Sequence, residues 1–450
     1  MINMTIKEIA EITGARLNKS AQEIQDESIQ GVSIDTRSIE KGNLFVPFKG
    51  ENVDGHRFID NAFEKGAGAS FSEIDNDEKD VPLLLVDDGL KALQELAAAY
   101  LKKVDPKVIA ITGSNGKTTT KDMVECLLRP DYKVKKTEGN YNNEIGLPLT
   151  LLDLDADTEV SILEMGMDSF GDIQFLSEMA EPDIAIITNV GESHIEKLGS
   201  RENIAKAKYE IVDGLKENGT FIYSKDYPRL EAIVEKDVPY QILTGGMDKG
   251  NDVVIESVEQ TSVQTLFSLS TGDYIEIPHL GAHNAQNATL ALLAAKVLGK
   301  EIYETKNYFK HLSVTKMRME QTEHESGTLI INDAYNASAS SMKSALDTVE
   351  NMNRSKKVVV LADILELGEY SNEIHDGIGE YLNEKHGIDY LVTYGEAAER
   401  INEKADMPKI HAESIEAAAD AVRPYLSPET VLLVKGSRGM EIERVINHLS

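Results

Sequence analysis

The sequence predicts an α/β protein of three domains, in which the second and third domains are built on parallel sheets. The 450 residues, 41% of them hydrophobic, suffice for roughly three domains of ordinary size. Two stretches of the chain alternate strand-length apolar runs with helix-length segments, which is typical of doubly wound sheets. A glycine-rich loop, ITGSNGKTTTK, follows the first of these runs. We therefore predict domains at residues 1–104, 105–312 and 313–450.

The first domain alternates short β-rich runs with helical patterns. The β-rich runs are VSIDT, LFVPF and PLLLVDD, and the helical patterns are FIDNAFEKGA and LKALQELAAAYLKK. Asp105 and Pro106 interrupt the last pattern, because a proline disfavours helical conformation in the residue before it. We place the end of the first domain at residue 104 for this reason.

The two later domains show the periodicity of buried strands. In the central domain the runs KVIAIT, VSILEMG, DIAIITNV and TFIYS are continuously apolar, as parallel strands covered on both faces are. Residues 251–279 instead indicate antiparallel strands with turns, and HNAQNATLALLAAKVLGK restores a helical pattern. The runs TLIINDAY, KKVVVLADIL, YLVTYG and TVLLVKGS then predict a second, Rossmann-like doubly wound sheet.

Composition excludes several classes of partner. There are 46 basic and 77 acidic residues, and a formal net charge of -31 repels nucleic acid and acidic lipid, so an anionic ligand must be met by local cations. No apolar run approaches the roughly 18 residues of a membrane span, and MINMTIKEIA does not have the order of a signal peptide. The single cysteine, Cys126 in VECLL, suits a buried helix position and a reducing compartment. We expect a cytoplasmic protein without nucleic-acid or membrane partners.

The loop at 111–121 has the parts of a phosphate-binding loop. Glycines allow backbone N–H groups to curl around phosphate oxygens, while Lys117 supplies a charge and Thr118 a hydroxyl for a metal ion. The general pattern G-x-x-x-x-G-K-[ST] would place a glycine at Ile111, so this is the shorter T-G-x-x-G-K-T variety. A strand precedes the loop and a helix follows it, which would point the helix dipole at the phosphates. The predicted nucleotide contacts are Gly113, Ser114, Asn115, Gly116, Lys117, Thr118 and Thr119.

Two further residues follow strands of the same predicted sheet. Glu164, in ILEMG, stands at the end of an apolar strand, and His194 follows the strand IAIITNV. Because the carboxyl ends of parallel strands meet at one edge, both are expected near the loop. A carboxylate and a neutral imidazole could hold Mg²⁺ there, although magnesium prefers oxygen ligands. A helix cap or an ordinary loop contact is the alternative for each residue.

Two polar segments of the central domain allow more than one interpretation. NIAKAKYEIVDGL, residues 203–215, puts Lys206 and Lys208 on an amphipathic helix, where solvated lysines are the ordinary expectation. KKTEGNYNNEIGLP is rich in amides, which suit substrate or phosphate contacts as well as a plain polar loop. Its candidate contact residues are Asn140, Asn142 and Asn143.

Taken in order, nine segments resemble the Mur ligase superfamily of ATP-dependent amide ligases over nearly the whole chain. They are IDTRSIEKGNLFVPFKGENVDGHRFI, ITGSNGKTTTK, TEGNYNNEIGLPLTLL, LEMG, ITNVGESHIEKLGS, GAHNAQN, DAYNASASSM, LADILELGE and KGSRGM. The likeness is closest to the members that join D-alanyl-D-alanine to UDP-N-acetylmuramoyl-tripeptide in peptidoglycan synthesis. It implies ATP and Mg²⁺ as cofactors, those two molecules as substrates, and a monomer.

The resemblance also implies roles for individual residues. Thr118, Glu164 and His194 match magnesium ligands, and Lys208 matches a lysine that several members carry as a carbamate, an anionic oxygen ligand. With Lys117, the last three form the implied catalytic set. The implied adenine, ribose or phosphate contacts are Asn284, Asn287, Arg318 and Asp333. The implied substrate contacts are Asp35, Thr36, Arg37, Lys49 and His56 for the UDP-sugar, and Tyr335, Asn336, Lys435 and Arg438 in the third domain.

The chain departs from the family pattern in the third domain. Ser338 and Ala339 stand where Asn-Pro is usual, and Ala362 replaces a glycine, which leaves the local contacts there open. A sister ligase or a folylpolyglutamate synthase is the nearest alternative, disfavoured by DAYNAS and by the absence of D-N-P-R. A P-loop switch would instead hydrolyse ATP in response to a protein. No residue identifies the third residue of the acceptor peptide, lysine or diaminopimelate.

Overall fold

The computed structural model describes residues 1–50, 53–261 and 263–449, and its strands form four sheets in three α/β domains, as predicted. Glu51 and Asn52, inside one of the family-like segments, lie outside the described residues, as do Ser262 and Ser450. None of the described helices combines the length and apolarity needed to cross a membrane. The boundaries after residues 104 and 312 remain predictions.

The N-terminal domain has a mainly parallel sheet of strand order β2-β7-β6-β5-β4 and a separate antiparallel pair, β1 with β3. Its helix α4 packs against α1 and against α6 of the central domain. The strands are β1 Asn3–Thr5, β2 Arg16–Leu17, β3 Ser28–Gln30, β4 Val32–Ser33, β5 Leu44–Phe45, β6 Ala69–Ser72 and β7 Leu83–Leu85. The helices are α1 Ile6–Thr13, α2 Lys19–Glu23, α3 Ile59–Glu64 and α4 Gly89–Val104, with a 3-10 turn at Gly55–Phe58.

The central domain has a mixed sheet of strand order β16-β15-β14-β13-β12-β11-β8-β10-β9, in which β14, β15 and β16 pair antiparallel as expected from residues 251–279. Its strands are β8 Lys107–Thr112, β9 Val134–Lys136, β10 Val160–Glu164, β11 Ile184–Ile187, β12 Thr220–Tyr223, β13 Gln241–Gly246, β14 Val253–Gln260, β15 Thr265–Leu269 and β16 Tyr274–Ile277. Its helices are α5 Lys117–Leu128, α6 Gly146–Leu152, α7 Asp172–Ala180, α8 Ile195–Leu198, α9 Arg201–Tyr209, α10 Pro228–Glu231, α11 His283–Val297 and α12 Ile302–Thr305, with 3-10 turns at Glu210–Val212 and Lys306–His311.

The C-terminal domain has a sheet of strand order β17-β18-β22-β19-β20-β21, parallel except for the edge strand β17. The strands are β17 Glu320–Glu323, β18 Leu329–Asp333, β19 Lys356–Ala362, β20 Tyr390–Tyr394, β21 Lys409–Ala412 and β22 Thr430–Lys435. The helices are α13 Ala339–Glu350, α14 Ser371–Asn383, α15 Ala398–Lys404, α16 Ile415–Val422 and α17 Arg444–Leu449, with 3-10 turns at Gly368–Tyr370, Arg423–Tyr425 and Arg438–Met440.

The central sheet is buried on both faces, which explains its continuously apolar strands. Ile109 and Ile111 of β8 join the core beneath α5 and α11, whereas Val108 and Ala110 join the core on the opposite face. Neighbouring side chains of a strand point to opposite faces, so a strand covered twice needs apolar residues at every position. Cys126 is buried on α5, as predicted, and burial raises the pKa of its thiol to about 11.

Two edge strands of the C-terminal sheet were not predicted from the sequence. β17 reads EQTE and β21 reads KIHA, so neither shows an apolar run. An edge strand has a neighbour on one side only and tolerates polar residues, which removes the periodic signal. The helix expected over residues 203–215 is shorter, because α9 ends at Tyr209 and a 3-10 turn follows.

Candidate active site

A cleft of about 1320 Å³ lies at the carboxyl ends of the central strands and is covered by the C-terminal domain. The loops after β8, β10 and β11 form one wall, and residues that follow β18 and β22 form the other. Strand β8 has β10 on one side and β11 on the other, so the chain order reverses at this point of the sheet. Such a reversal opens a crevice at which α/β proteins bind ligands.

The glycine-rich loop has a shape that only glycine permits at two positions. Gly113 has φ +154°, and a Cβ there would lie 1.8 Å from Thr188 Oγ1. Gly116 has φ +77° and lies against the side chain of Asn287. No side chain of the described residues caps α5, which begins at Lys117, so its first N–H groups face the cleft ready for an anion.

Asn189 holds the loop from the neighbouring strand end. Its Oδ1 accepts the N–H of Asn115 at 2.9 Å, and its Nδ2 donates to the Asn115 carbonyl at 2.9 Å. Thr188 Oγ1 donates to the same carbonyl at 2.6 Å. These bonds were not predicted, although Asn189 lies just after strand β11 and Glu164 is the last residue of the nearby strand β10. They fix the loop backbone before any ligand binds.

Thr118 and Glu164 form the predicted hydroxyl and carboxylate pair. Thr118 Oγ1 donates to Glu164 Oε2 at 2.8 Å, and Asn142 Nδ2 donates to Glu164 Oε1 at 3.2 Å. Lys117 Nζ donates to the Gly113 carbonyl at 2.9 Å. Burial lowers the pKa of Lys117, the charge of Glu164 opposes that shift, and nearby Arg318 adds to it.

Lys121 is a buried cation beside this pair that the sequence analysis missed. Only 2% of its surface is exposed, and its Nζ lies 3.9 Å from Glu164 Oε2 while donating to the Thr137 carbonyl at 2.6 Å. The hydroxyl of Thr137 in turn accepts the N–H of Glu164 at 3.0 Å. On a helix pattern alone Lys121 resembles any surface lysine, so only the packing of β9 and β10 reveals it.

His194 is neutral and has an unpaired ring nitrogen. Its Nδ1 has no hydrogen-bond partner among the described residues, with Glu366 Oε2 at 3.4 Å and Asp168 Oδ1 at 3.5 Å. Burial, followed by the charges of Lys208 and Lys117, lowers the pKa of His194 to about 4. The backbone at His194 has φ +65°, an uncommon conformation outside glycine that places the ring where α8 begins.

The expectation that Lys206 and Lys208 are both solvated is wrong for Lys208. Lys206 is exposed, but Lys208 is 2% exposed, because positions two apart on a helix point in different directions. Burial and the charge of Lys117 hold the pKa of Lys208 well below its usual value. No carboxylate of the described residues offsets that shift.

The C-terminal domain brings Arg318 onto the loop. Its Nη2 donates to Thr118 Oγ1 at 2.8 Å, and its guanidinium lies 4.2 Å from the centre of the Tyr335 ring. Asp333 accepts the N–H of Met319 at 3.1 Å and pairs with the buried Nζ of Lys435 at 2.6 Å. The charge of Lys435 is therefore already compensated within the domain.

Known proteins resemble the chain along its whole length. Family models match as follows: "Mur ligase family, catalytic domain" at residues 28–101, "Mur ligase middle domain" at 111–295 and "Mur ligase, glutamate ligase domain" at 317–438. The UDP-N-acetylmuramoyl-tripeptide–D-alanyl-D-alanine ligase of Bacillus subtilis is 41% identical over 458 residues, covering 100% of this chain and 99% of that protein. The chain belongs to the Mur ligase family. The ligase of the same name from Escherichia coli is 31% identical over 100% of this chain and 99% of its own.

Solved structures of Mur ligases superpose on this Mur ligase. A crystal structure of MurF from Acinetobacter baumannii has a TM-score of 0.90 at 28% identity, covering 100% of this chain and 99% of that chain. The MurF ligase of Thermotoga maritima in complex with ADP has a TM-score of 0.83 at 31% identity, covering 93% of this chain and 97% of that chain.

In this Mur ligase most of the predicted site residues lie together. Those that line the cleft are Ser114, Asn115, Gly116, Lys117, Thr119, Asn140, Asn142, Asn143, Glu164, His194, Asn287, Arg318, Asp333, Tyr335, Asn336, Lys435 and Arg438. Others support the lining from behind: Asn284 Oδ1 accepts from Asn287 Nδ2 at 2.9 Å and does not itself face the cleft. Gly113, Thr118 and Lys208 are not among the lining residues, although Thr118 Oγ1 contacts Glu164 and Arg318, which are.

The residues expected to bind the UDP-sugar do not line this cleft; they are Asp35, Thr36, Arg37, Lys49 and His56. Hydrogen bonds from the exposed Arg37 lower the pKa of Asp35 to about 2. His56 is buried, and both its ring nitrogens are occupied, Nδ1 by Asp54 at 2.7 Å and Nε2 by the N–H of Glu73 at 3.0 Å. His56 therefore shapes the domain in this arrangement of the chain.

Proposed function

We infer that this Mur ligase joins D-alanyl-D-alanine to UDP-N-acetylmuramoyl-tripeptide, giving the pentapeptide, ADP and phosphate for peptidoglycan synthesis. The observation that carries the inference is the full-length similarity to ligases of that name, at 41% identity for the Bacillus subtilis protein. The cleft supplies the parts that such chemistry needs, namely a phosphate loop, a carboxylate beside it and a covering domain. More distant relatives such as folylpolyglutamate synthase, at 17% identity, share the fold alone.

The first chemical step activates a poor electrophile. The carboxylate oxygen of the tripeptide forms a bond to the γ-phosphorus of ATP, the bond from that phosphorus to ADP breaks, and an acyl phosphate results. Phosphoryl transfer depends on positioning and charge stabilisation, which Lys117 and the N–H groups at the start of α5 provide. The amine of the dipeptide then forms the amide bond and loses a proton as phosphate leaves.

Shielding from water is the second requirement, because an acyl phosphate hydrolyses readily. The C-terminal domain contacts the loop through Arg318, which donates to Thr118, and contacts the end of α8 through Tyr370, whose hydroxyl donates to the Gly199 carbonyl at 2.9 Å. A cleft enclosed in this way also strengthens each charge interaction within it. The lining residues Asn140, Asn143, Tyr335, Asn336 and Arg438 remain our candidates for substrate contacts.

We propose that Mg²⁺ binds at Thr118 and Glu164, with His194 as a further ligand. The unpaired, neutral Nδ1 of His194 and the joined hydroxyl and carboxylate fit a cation. No group of three or more acidic, histidine or cysteine side chains that could hold a metal occurs in the described chain. Magnesium usually keeps several waters and binds through one or two carboxylates and substrate phosphate oxygens, so Glu164 with few further protein ligands suits it. When bound, it would neutralise charge on the transferred phosphoryl group.

Carbamoylation of Lys208 is part of the proposal. The amine is buried beside Lys117 and has no compensating carboxylate among the described residues, and a neutral amine is the form that adds to carbon dioxide. The carbamate would place a negative charge beside Lys117. Carbon-13 NMR of protein equilibrated with labelled bicarbonate should show a carbamate signal that the Lys208→Arg variant lacks. Identical spectra for the two proteins would reject the modification.

The function is tested by phosphate release from ATP with the tripeptide substrate, with and without D-alanyl-D-alanine, and by the mass of the product. Turnover that needs both partners and yields the pentapeptide is expected. Lys117→Met should reduce turnover at least about 100-fold, since one charge in a closed site contributes that much, whereas the exposed Lys7→Met should not. Phosphate release that depends on a protein partner would indicate a nucleotide switch. Turnover with an acceptor other than D-alanyl-D-alanine would indicate a sister ligase. Lysine- and diaminopimelate-containing substrates are both needed. A monomer in the cytoplasm remains a prediction.

A further inference from the structure

We propose that Ser338 and Ser340 clamp the side chain of Asn115, so that the phosphate loop is held in its binding shape by the docked C-terminal domain. Ser338 Oγ donates to Asn115 Oδ1 at 3.0 Å, and Asn115 Nδ2 donates to Ser340 Oγ at 3.0 Å. Both ends of one carboxamide are thus engaged by the first turn of α13. The proposal deepens the ligase function above and rests on it for the meaning of ATP turnover.

Asn115 has few other ways to move. Its N–H and its carbonyl are held by Asn189, and Thr188 adds a second bond to the carbonyl. The side chain is therefore the part of Asn115 that reaches from the central domain to α13. A displacement of α13 would pull on the residue between Ser114 and Gly116, both of which line the cleft.

The serine at 338 performs two tasks at once. Its hydroxyl accepts the N–H of Ser341 at 3.2 Å, which caps α13, and still donates to Asn115. A hydroxyl has one donor and two acceptor positions, so the two bonds do not compete. Ser338 is 3% exposed, so little of it is available to water. This is the position at which the chain departs from the usual Asn-Pro of its family.

Close packing at Gly191 supports the contact independently. A Cβ at Gly191 would lie 3.2 Å from Ser340 Oγ and 3.3 Å from Ser114 Cβ, so a side chain here would force one of these neighbours to shift by a few tenths of an ångström. The N–H of Gly191 also donates to Ser114 Oγ at 2.8 Å. The two serines at the start of α13 thus contact a loop that the Gly191 N–H already holds through Ser114.

The clamp makes a specific prediction for ATP. If ATP binds best when α13 is docked, loss of the two hydroxyls should raise the KM for ATP about tenfold, the effect of losing two neutral hydrogen bonds. The kcat at saturating ATP should change less than about twofold, because bound nucleotide restores docking. Deuterium uptake by the loop at 113–119 without nucleotide should increase in parallel.

The test uses full-length Ser338→Gly/Ser340→Ala protein, because glycine replaces a serine cap at a cost of only a few tenths of a kcal/mol. Ser338→Thr keeps the hydroxyl and should retain the wild-type KM. Thr348→Val removes another hydroxyl of α13, one that bonds within its own helix at 2.8 Å, and should leave the KM unchanged. If the double variant is poorly folded, Ser340→Ala alone should raise the KM about threefold, since Ser340 is not the cap.

An unchanged KM and unchanged deuterium uptake in folded Ser338→Gly/Ser340→Ala protein would overturn the clamp. The clamp would also be overturned if Thr348→Val raised the KM and the deuterium uptake equally, since the cause would then be a general weakening of α13. ATP affinity measured by calorimetry reports the clamp even if no pentapeptide forms. Failure of the ligase proposal would instead show as absence of product in the wild-type protein, with the affinity difference intact.

Discussion

Three buried lysines show how individual residues of similar appearance take different roles. Lys435 is paired with Asp333, Lys121 lies beside Glu164, and Lys208 has no carboxylate partner among the described residues. Each is at most 2% exposed. A buried charged amine without a partner is costly, so burial and the charge of Lys117 hold the pKa of Lys208 well below its usual value. The glycines of the loop also have individual roles, because two of them occupy positions where a side chain would collide with a neighbour.

Gly113→Ala should damage the phosphate loop directly. A Cβ there would lie 1.8 Å from Thr188 Oγ1, so the loop must shift, and displacement of about 1 Å in a reaction site can cost 100-fold in rate. We expect kcat/KM for ATP to fall by about that factor, measured by phosphate release. Gly272→Ala is the control, because its φ is also positive but its Cβ would meet nothing within 4 Å. Equal activity of the two variants would reject the close-approach argument.

At the scale of elements, side chains at strand ends tie the central sheet together. Asp183 precedes β11 and accepts from the N–H of Val108 at 3.0 Å, from Lys107 Nζ at 3.0 Å and from Lys216 Nζ at 2.9 Å. Burial by itself would raise the pKa of Asp183, but these hydrogen bonds outweigh it and the pKa is lowered. One carboxylate thereby fixes the start of two neighbouring strands.

Asp183→Asn should destabilise the central domain by about 1–3 kcal/mol at neutral pH, the usual cost of disturbing a buried hydrogen-bonded charge. Since the folded pKa lies below the unfolded value of about 3.9, the carboxylate stabilises the fold fully above that pH. The contribution is lost as the pH falls through the folded pKa. The wild type and the variant should therefore differ most in urea denaturation at pH 5–8, and the difference should shrink as the pH falls below about 4. A difference that does not shrink as the pH falls below about 4 would contradict this account. Asp157→Asn, at an exposed ion pair, is the control.

At the scale of the whole molecule, the connection between the second and third domains is anchored to the helix of the phosphate loop. Thr315 donates to Asp122 Oδ2 through its N–H at 2.9 Å and its hydroxyl at 2.8 Å. Asp122 lies on α5, is 1% exposed and pairs with Lys136 at 2.8 Å. The start of the third domain is thus held by α5, the helix that follows the glycine-rich loop.

Thr315→Val should loosen this connection while preserving its shape. A hydrogen bond to a charged group contributes about 1.5–3 kcal/mol to stability. The backbone N–H of residue 315 still donates to Asp122 in the variant, so we expect a loss near the lower end of that range. Hydrogen exchange of residues 313–319 should report the loss as a smaller free energy of local opening. Thr322→Val, exposed on the edge strand β17, should leave that exchange unchanged. Protection equal to wild type in Thr315→Val would show that the hydroxyl does not anchor the domain.

Prediction succeeded where the signal is local. The loop, the strand before it and the helix after it are adjacent in sequence, so the positions of Lys117 and Thr118 could be predicted directly, and the position of Glu164 followed because β10 pairs with β8. The roles of these three residues remain predictions. Prediction failed where a partner is distant in the chain. The burial of Lys208 and His56 and the bracket of Asn189 around Asn115 depend on residues that no short pattern contains.

The sequence by itself determined the three-domain α/β class, the phosphate loop and the family, because periodicity and motif order are properties of neighbouring residues. Only the tertiary structure decided which polar side chains are paired, which remain free and which domain reaches the loop. Ser338 illustrates the division: the sequence marks it as a departure from the family pattern, and the fold places its hydroxyl 3.0 Å from Asn115, 223 residues away. Hydrogen bonding depends on distance in space, and chain folding sets that distance independently of separation in sequence.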